Sequence, residues 1–116
     1  EPLFRRALAI SEQALGPEHP QVATALNNLA GLLQATNRLG EAEPLSRRHL
    51  EIFLKFTVAT GHPHPHLQDA TLNYAGLLAA LGRSLEQVQA RLDEIGRPFG
   101  VSLGEGSSAG GEARPR

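Results

Sequence analysis

The densest run of chemically capable side chains is Gly61-His62-Pro63-His64-Pro65-His66, three imidazoles within five residues. Imidazole is the commonest protein ligand for zinc-like ions, so His62, His64 and His66 are candidate metal ligands. The alternating prolines work against that use, because they hold the segment extended and spread the rings apart. The chain has no cysteine, and Asp69 is the one carboxylate close by. The run therefore reads as a connector, and no metal or other cofactor is expected. A quieter set is made of amides and other polar groups: Asn28 and Asn73, with Asn27, Thr24, Gln34 and Asp69 nearby. A side-chain amide carries both a donor and an acceptor, so it can pair with a peptide main chain whatever the sequence of that peptide.

Catalytic arrangements are missing. There is no nucleophile-elbow serine and no paired-histidine metalloprotease spacing. Gly104-Glu105-Gly106 follows no predicted strand and is no phosphate loop. The chain does not read as an enzyme. Arg5-Arg6 and Arg47-Arg48 offer a basic stripe for an acidic partner, but a solvated outer face explains them more simply.

The elements that must position these groups are helices. Leu and Ala dominate the 116 residues, while aromatics make up 4% and tryptophan is absent. That composition favours helix over strand. The formal net charge is −1, without the basic excess of a nucleic-acid binder. No apolar run approaches the roughly 20 residues that span a bilayer. The lack of cysteine fits a reducing, cytoplasmic setting.

The chain also repeats itself. Glu1-Pro2-Leu3-Phe4-Arg5-Arg6-Ala7-Leu8-Ala9-Ile10 matches Glu43-Pro44-Leu45-Ser46-Arg47-Arg48-His49-Leu50-Glu51-Ile52 at seven of ten positions, an offset of 42 residues from position 1 to position 43. Gly16-Pro17-Glu18-His19-Pro20 is echoed by Gly61-His62-Pro63-His64-Pro65, and Asn28-Leu29-Ala30-Gly31-Leu32-Leu33 by Asn73-Tyr74-Ala75-Gly76-Leu77-Leu78, now 45 residues on (position 16 to position 61). The three extra residues fall between Ile52 and Gly61. Self-similarity at this period marks a stacked-repeat architecture.

Each unit reads as two helices. The first follows Pro20 or Pro65, since a proline suits an opening turn whose N–H has no helical partner. Val22, Leu26, Leu29, Ala30 and Leu33 give one copy its apolar face; Leu67, Ala70, Tyr74, Ala75 and Leu78 give the other. Asn37 and Gly82 tolerate positive φ and suit a helix stop. The second helix runs from about Gly40 to beyond Leu54, with Ala42, Leu45, Leu50 and Phe53 for packing and a slight bend expected at Pro44. Residues 1–15 look like the second helix of a preceding unit in a longer protein. Residues 16–57 and 61–95 look like hairpin units, the latter a capping one with Leu85, Val88, Leu92 and Ile95 at helical spacing. Residues 96–116 look like a flexible Gly/Ser/Pro-rich tail.

Gly16-Pro17-Glu18-His19-Pro20, Ala25-Leu26-Asn27-Asn28-Leu29-Ala30 and Glu41-Ala42-Glu43-Pro44-Leu45 together resemble the tetratricopeptide repeat, in its kinesin-light-chain-like variety. The common form has a period of 34 residues. The excess here, about eight, is close to two helical turns. The resemblance implies an all-α fold, a right-handed superhelical stack of antiparallel helical hairpins with about five helices. His49 where Ala7 stands, Ser46 in place of Phe4, and Gln87 or Val88 serving for Ala42 depart from the pattern and question close packing of the later units.

The resemblance also places the first helices of successive units along a concave groove that receives an extended peptide or partner helix. Asn28 and Asn73 would face it, with Asn27, Thr24, Gln34 and Asp69 as further groove candidates; the competing role for the asparagines is capping or bridging helices. Gly31 and Gly76 suggest close approach, of helix to helix before helix to ligand. The expected function is a protein–protein interaction scaffold, with a protein or peptide partner and neither nucleic acid nor membrane. A second reading is a self-assembling element that dimerises through Leu3, Phe4, Leu8 and Leu15 of the orphan helix. A third is the sensor or scaffold end of a larger signalling protein.

Overall fold

The computed structural model describes residues 2–103. Its elements are α1 (Pro2–Leu15), α2 (Pro20–Ala35), α3 (Leu39–Thr60), α4 (Leu67–Ala80), α5 (Leu85–Gly96) and a 3-10 turn, Arg97–Phe99. Among the described residues there is no strand. Consecutive helices pack in pairs, α1 on α2, α2 on α3, α3 on α4 and α4 on α5, so the fold is an all-α stack of hairpins measuring 49 × 34 × 19 Å.

Local chemistry sets the ends of the helices. Before α2, Nδ1 of His19 accepts the Gln21 backbone N–H at 3.1 Å, and Pro20 occupies the opening turn. One unit on, His64 does the same for the His66 N–H at 3.0 Å, but α4 begins only at Leu67 and leaves Pro65 in the turn. Both first helices stop where the sequence suggested. Asn37 (φ 62°) and Gly82 (φ 94°) turn left-handed, letting Arg38 and Arg83 donate back to the Leu33 and Leu78 carbonyls at 2.7 and 3.1 Å. The three extra residues of the second unit lengthen α3, which runs through Pro44 and on to Thr60. Ser84 caps α5 through reciprocal bonds with Gln87, and it is Val88, not Gln87, that turns inward.

The core is continuous from Leu8 of α1 to Leu103. Leu26, Leu29 and Leu33 of α2 are wholly enclosed, each worth roughly 1.5–3 kcal/mol of apolar burial. The substitutions that questioned close packing are absorbed: Ser46 and His49 are both buried in α3, and the His49 ring meets Phe53 edge-on at 4.9 Å. Tyr74 takes the place that Leu29 holds one unit earlier. Its ring is enclosed and its hydroxyl donates to Glu43 of α3. Burial and that neighbouring carboxylate push the phenol up to about 12.

Two expectations are revised. Leu8 is buried against the core and leaves the exposed face of α1 to Leu3, Phe4, Ile10 and Leu15. Leu85, which shares the helical spacing of Val88, Leu92 and Ile95, is exposed while those three are buried. After Gly96 the chain does not leave the surface at once: it doubles back so that Val101 N–H reaches the Gly96 carbonyl at 3.0 Å, and Leu103 is only 6% exposed. A Cβ on Gly96 would run into the Val101 carbonyl oxygen, which explains a glycine there. The remainder of the predicted tail, residues 104–116, lies outside the described residues.

Candidate functional site

The exposed face of α2 carries Thr24, Asn27, Asn28, Gly31 and Gln34, at helical three- and four-residue steps. The matching face of α4, 45 residues on, carries Asp69, Leu72, Asn73 and Gly76. These faces point outward because the buried residues Leu26, Leu29 and Leu33 on α2, and Ala70, Tyr74 and Leu77 on α4, are turned to the core.

Two adjoining hollows lie between the helices. One, of about 370 Å³, is lined by Asn27, Asn28, Ala30, Gly31, Gln34, Ser46 and Asn73. The other, of about 380 Å³, is lined by Gln34, Leu39, Leu72, Asn73, Gly76, Leu77 and Ala80. Gln34 and Asn73 belong to both. No charged side chain lines either. Buried Ser46, standing where the preceding unit has the larger Phe4, is among the residues that line the first hollow. Among the described residues the side chains of Asn27, Asn28, Gln34 and Asn73 make no hydrogen bond to another protein group. Such amides are free to pair with a ligand.

Of the sequence candidates, Asn27, Asn28, Gln34 and Asn73 meet at these hollows. Thr24 and Asp69 line neither: the Thr24 hydroxyl bonds back to the Pro20 carbonyl at 3.3 Å, and Asp69 lies 4.0 Å from the His66 ring. Ser46 and Leu72 were missed. The Phe4-to-Ser46 and Asn27-to-Leu72 changes between units were the signals that could have found them. The glycine expectation is also corrected. A Cβ at Gly31 or Gly76 would meet nothing within 4 Å, so neither glycine is needed for helix-to-helix approach. Each instead costs roughly 0.5–1 kcal/mol of helix stability relative to alanine.

The histidine run has a structural explanation. The His64 ring lies 4.3 Å from Phe53 and 4.6 Å from Phe56, while its Nδ1 is occupied by the His66 N–H. Burial, with the nearby His66 charge, lowers its basicity. Among the described residues no group of three His, Asp or Glu side chains is placed to hold a metal ion. The arginine pairs reach carboxylates across the stack: Arg48 to Glu12 at 2.6 Å and Arg5 to Glu41 at 3.4 Å. Exposed pairs of this kind are worth at most about 1 kcal/mol.

An all-helical stack of hairpins with an uncharged amide face defines a helical-repeat protein, and sequence comparison narrows the class. Residues 1–55 match the model of the tetratricopeptide repeat family, which supports a tetratricopeptide repeat in this chain; such repeats generally mediate protein–protein interaction. Nephrocystin-3 of Xenopus laevis is 42% identical over 45 residues, covering 39% of this chain and 4% of that protein. Nephrocystin-3 of Mus musculus is also 42% identical over 45 residues, covering 39% of this chain and 3% of its own length. The chain thus spans only a few per cent of these relatives. No solved structure matches. Among the described residues no helix is long and apolar enough to cross a membrane.

Proposed function

We propose that the chain is a protein–protein interaction scaffold that receives its partner across α2 and α4, in the groove formed by the two hollows. One observation carries this reading: Asn28 and Asn73, 45 residues apart, line the same hollow with Asn27 and Gln34, their amides unspent on the fold. The long repeat, 42 to 45 residues, supports the kinesin-light-chain-like variety, and we place the protein in the cytoplasm.

Replacing Asn28 and Asn73 with alanine tests the reading. Both are exposed, so stability should move by less than about 0.5 kcal/mol. Partners captured by the tagged wild-type chain and identified by mass spectrometry should be lost from the double variant. Equal capture by both proteins would sink the groove reading.

The α1 face supports a second reading. Leu3 and Ile10 are 74% and 59% exposed, whereas their α3 counterparts, Leu45 and Ile52, are half-buried and buried. A helix of the α2 kind, or α1 of a second copy, would cover that face. Light scattering over a dilution series separates the two: a monomer at every concentration excludes the homodimer.

A further inference from the structure

We infer that the surface between the second helices α3 and α5 takes a short acidic segment of a partner protein, whose carboxylates meet Arg47 of α3 and Arg83 just before α5. This surface shares no lining residue with the two amide hollows and stands independently of the groove reading.

The repeat itself shows what is missing. At the junction of α1 and α3, one carboxylate serves two guanidiniums. Glu41 accepts from Nε and Nη2 of Arg38 at 2.9 and 2.7 Å, and from Arg5 of the preceding second helix at 3.4 Å. At the junction of α3 and α5 both arginines return. Arg47 stands 42 residues after Arg5 in the repeated segment (position 5 to position 47). Arg83 closes its turn as Arg38 does, its N–H reaching the Leu78 carbonyl as that of Arg38 reaches Leu33. The carboxylate does not return. Val88 turns inward where Ala42 does, so Gln87 occupies the position of Glu41. Its amide oxygen is neutral and already taken by the Ser84 N–H at 2.8 Å. Among the described residues the Arg47 and Arg83 side chains are consequently left without a hydrogen bond or an ion pair.

The surroundings leave that anion to come from outside. Arg83 lines a hollow of about 450 Å³ and Arg47 an adjoining one of about 410 Å³, with Arg91 and Glu94 common to both. Most charges nearby are spent. Glu94 takes Arg91 at 3.0 Å, Glu43 takes the Tyr74 hydroxyl, and Lys55 pairs with Glu18. Two open cations, Arg47 and Arg83, then face one open anion, Glu51. Arg47 is also half-buried, and a guanidinium drawn out of water gains most from a charged acceptor. Its planar fork matches a carboxylate, as Arg38 and Glu41 show within this chain. Two arginines in adjoining hollows call for more than one carboxylate, and so for a segment rather than a single ion.

The probe is a displayed library of random twelve-residue peptides, depleted on an Arg47→Gln/Arg83→Gln variant and then selected on the wild-type chain. Synthetic binders are measured by fluorescence polarisation. The arginine variant should keep its Tm within about 4 °C of wild type, because neither side chain is bound within the fold. A larger drop would return the arginines to the fold. Selected peptides should carry at least two Asp or Glu residues close together, and bind roughly tenfold more weakly in 500 mM than in 50 mM salt. Gln87→Glu is the decisive arm. Glutamate keeps the capping box and restores the carboxylate that Glu41 supplies one unit earlier, so it should weaken these peptides roughly fivefold or more. Asn28→Ala/Asn73→Ala should bind them as wild type does. An empty selection, cores without Asp or Glu, a salt-insensitive affinity, or normal binding by Gln87→Glu would each overturn the inference and leave the groove reading untouched. Loss of the peptides in the asparagine variant would place them in the amide groove, and the arginine site would fall.

Discussion

Replacing His49 with leucine should remove much of the acid lability of the α3–α4 junction. His49 is 7% exposed, its Nδ1 has no hydrogen-bond partner, and its ring packs against Phe53. Burial first, and the charge of His66 second, lower its pKa from 6.5 to about 4. The folded protein thus holds this ring neutral, while the unfolded chain protonates it near pH 6.5. Between those two values the unfolded state binds the extra proton, so stability is complete above pH 6.5 and drains away as the pH falls towards 4. At about 1.4 kcal/mol per pH unit, the full interval is worth about 3 kcal/mol, a large share of the 5–15 kcal/mol that a domain has. Leucine is similar in size, has nothing to protonate and leaves no unpartnered nitrogen, so the variant should match or exceed wild type at pH 7. Urea unfolding at half-unit steps from pH 7 to 4.5 measures the difference. His64, also lowered by burial and His66, and Glu41, lowered by its hydrogen bond to Arg38, are present in both proteins and cancel to first order. The wild-type deficit should open by about 2 kcal/mol or more over that range. Curves that stay parallel within about 0.5 kcal/mol would refute the assignment of His49 as a buried neutral base.

Two further substitutions probe the rest of the frame. Tyr74→Phe keeps the enclosed ring but deletes the hydroxyl that donates to Glu43, and should cost about 1.5 kcal/mol in chemical denaturation. Gly96→Ala forces a methyl against the Val101 carbonyl and should release Leu103 from the core; a loss of about 2–3 kcal/mol, matched by Leu103→Ala and not additive with it, identifies that packing as what fails.

How much of this was legible follows from how far each feature reaches along the chain. The left-handed stops at Asn37 and Gly82, the His-Pro entries and the apolar periodicity of α2 are short-range, and the structure has them where the sequence put them, apart from Pro65. The groove amides were legible as a repeated residue type but not as a group. Their meeting depends on how α3, which packs on both α2 and α4, spaces those two helices. The histidine run looked like the chemistry of the chain because three rings sit close in sequence. Aromatic packing of His64 on Phe53 and Phe56 gives it a structural role instead.

The all-helical class, the count of five helices and the left-handed stops after α2 and α4 could be read from the sequence, because φ preference, capping and helical period act within a few residues. Tertiary structure alone decided which polar and small residues face an open hollow. It buried Leu8 and His49, folded Leu103 back under the last helix and left Gly31 and Gly76 bare. Those outcomes depend on what neighbouring helices cover, and no local rule carries that information.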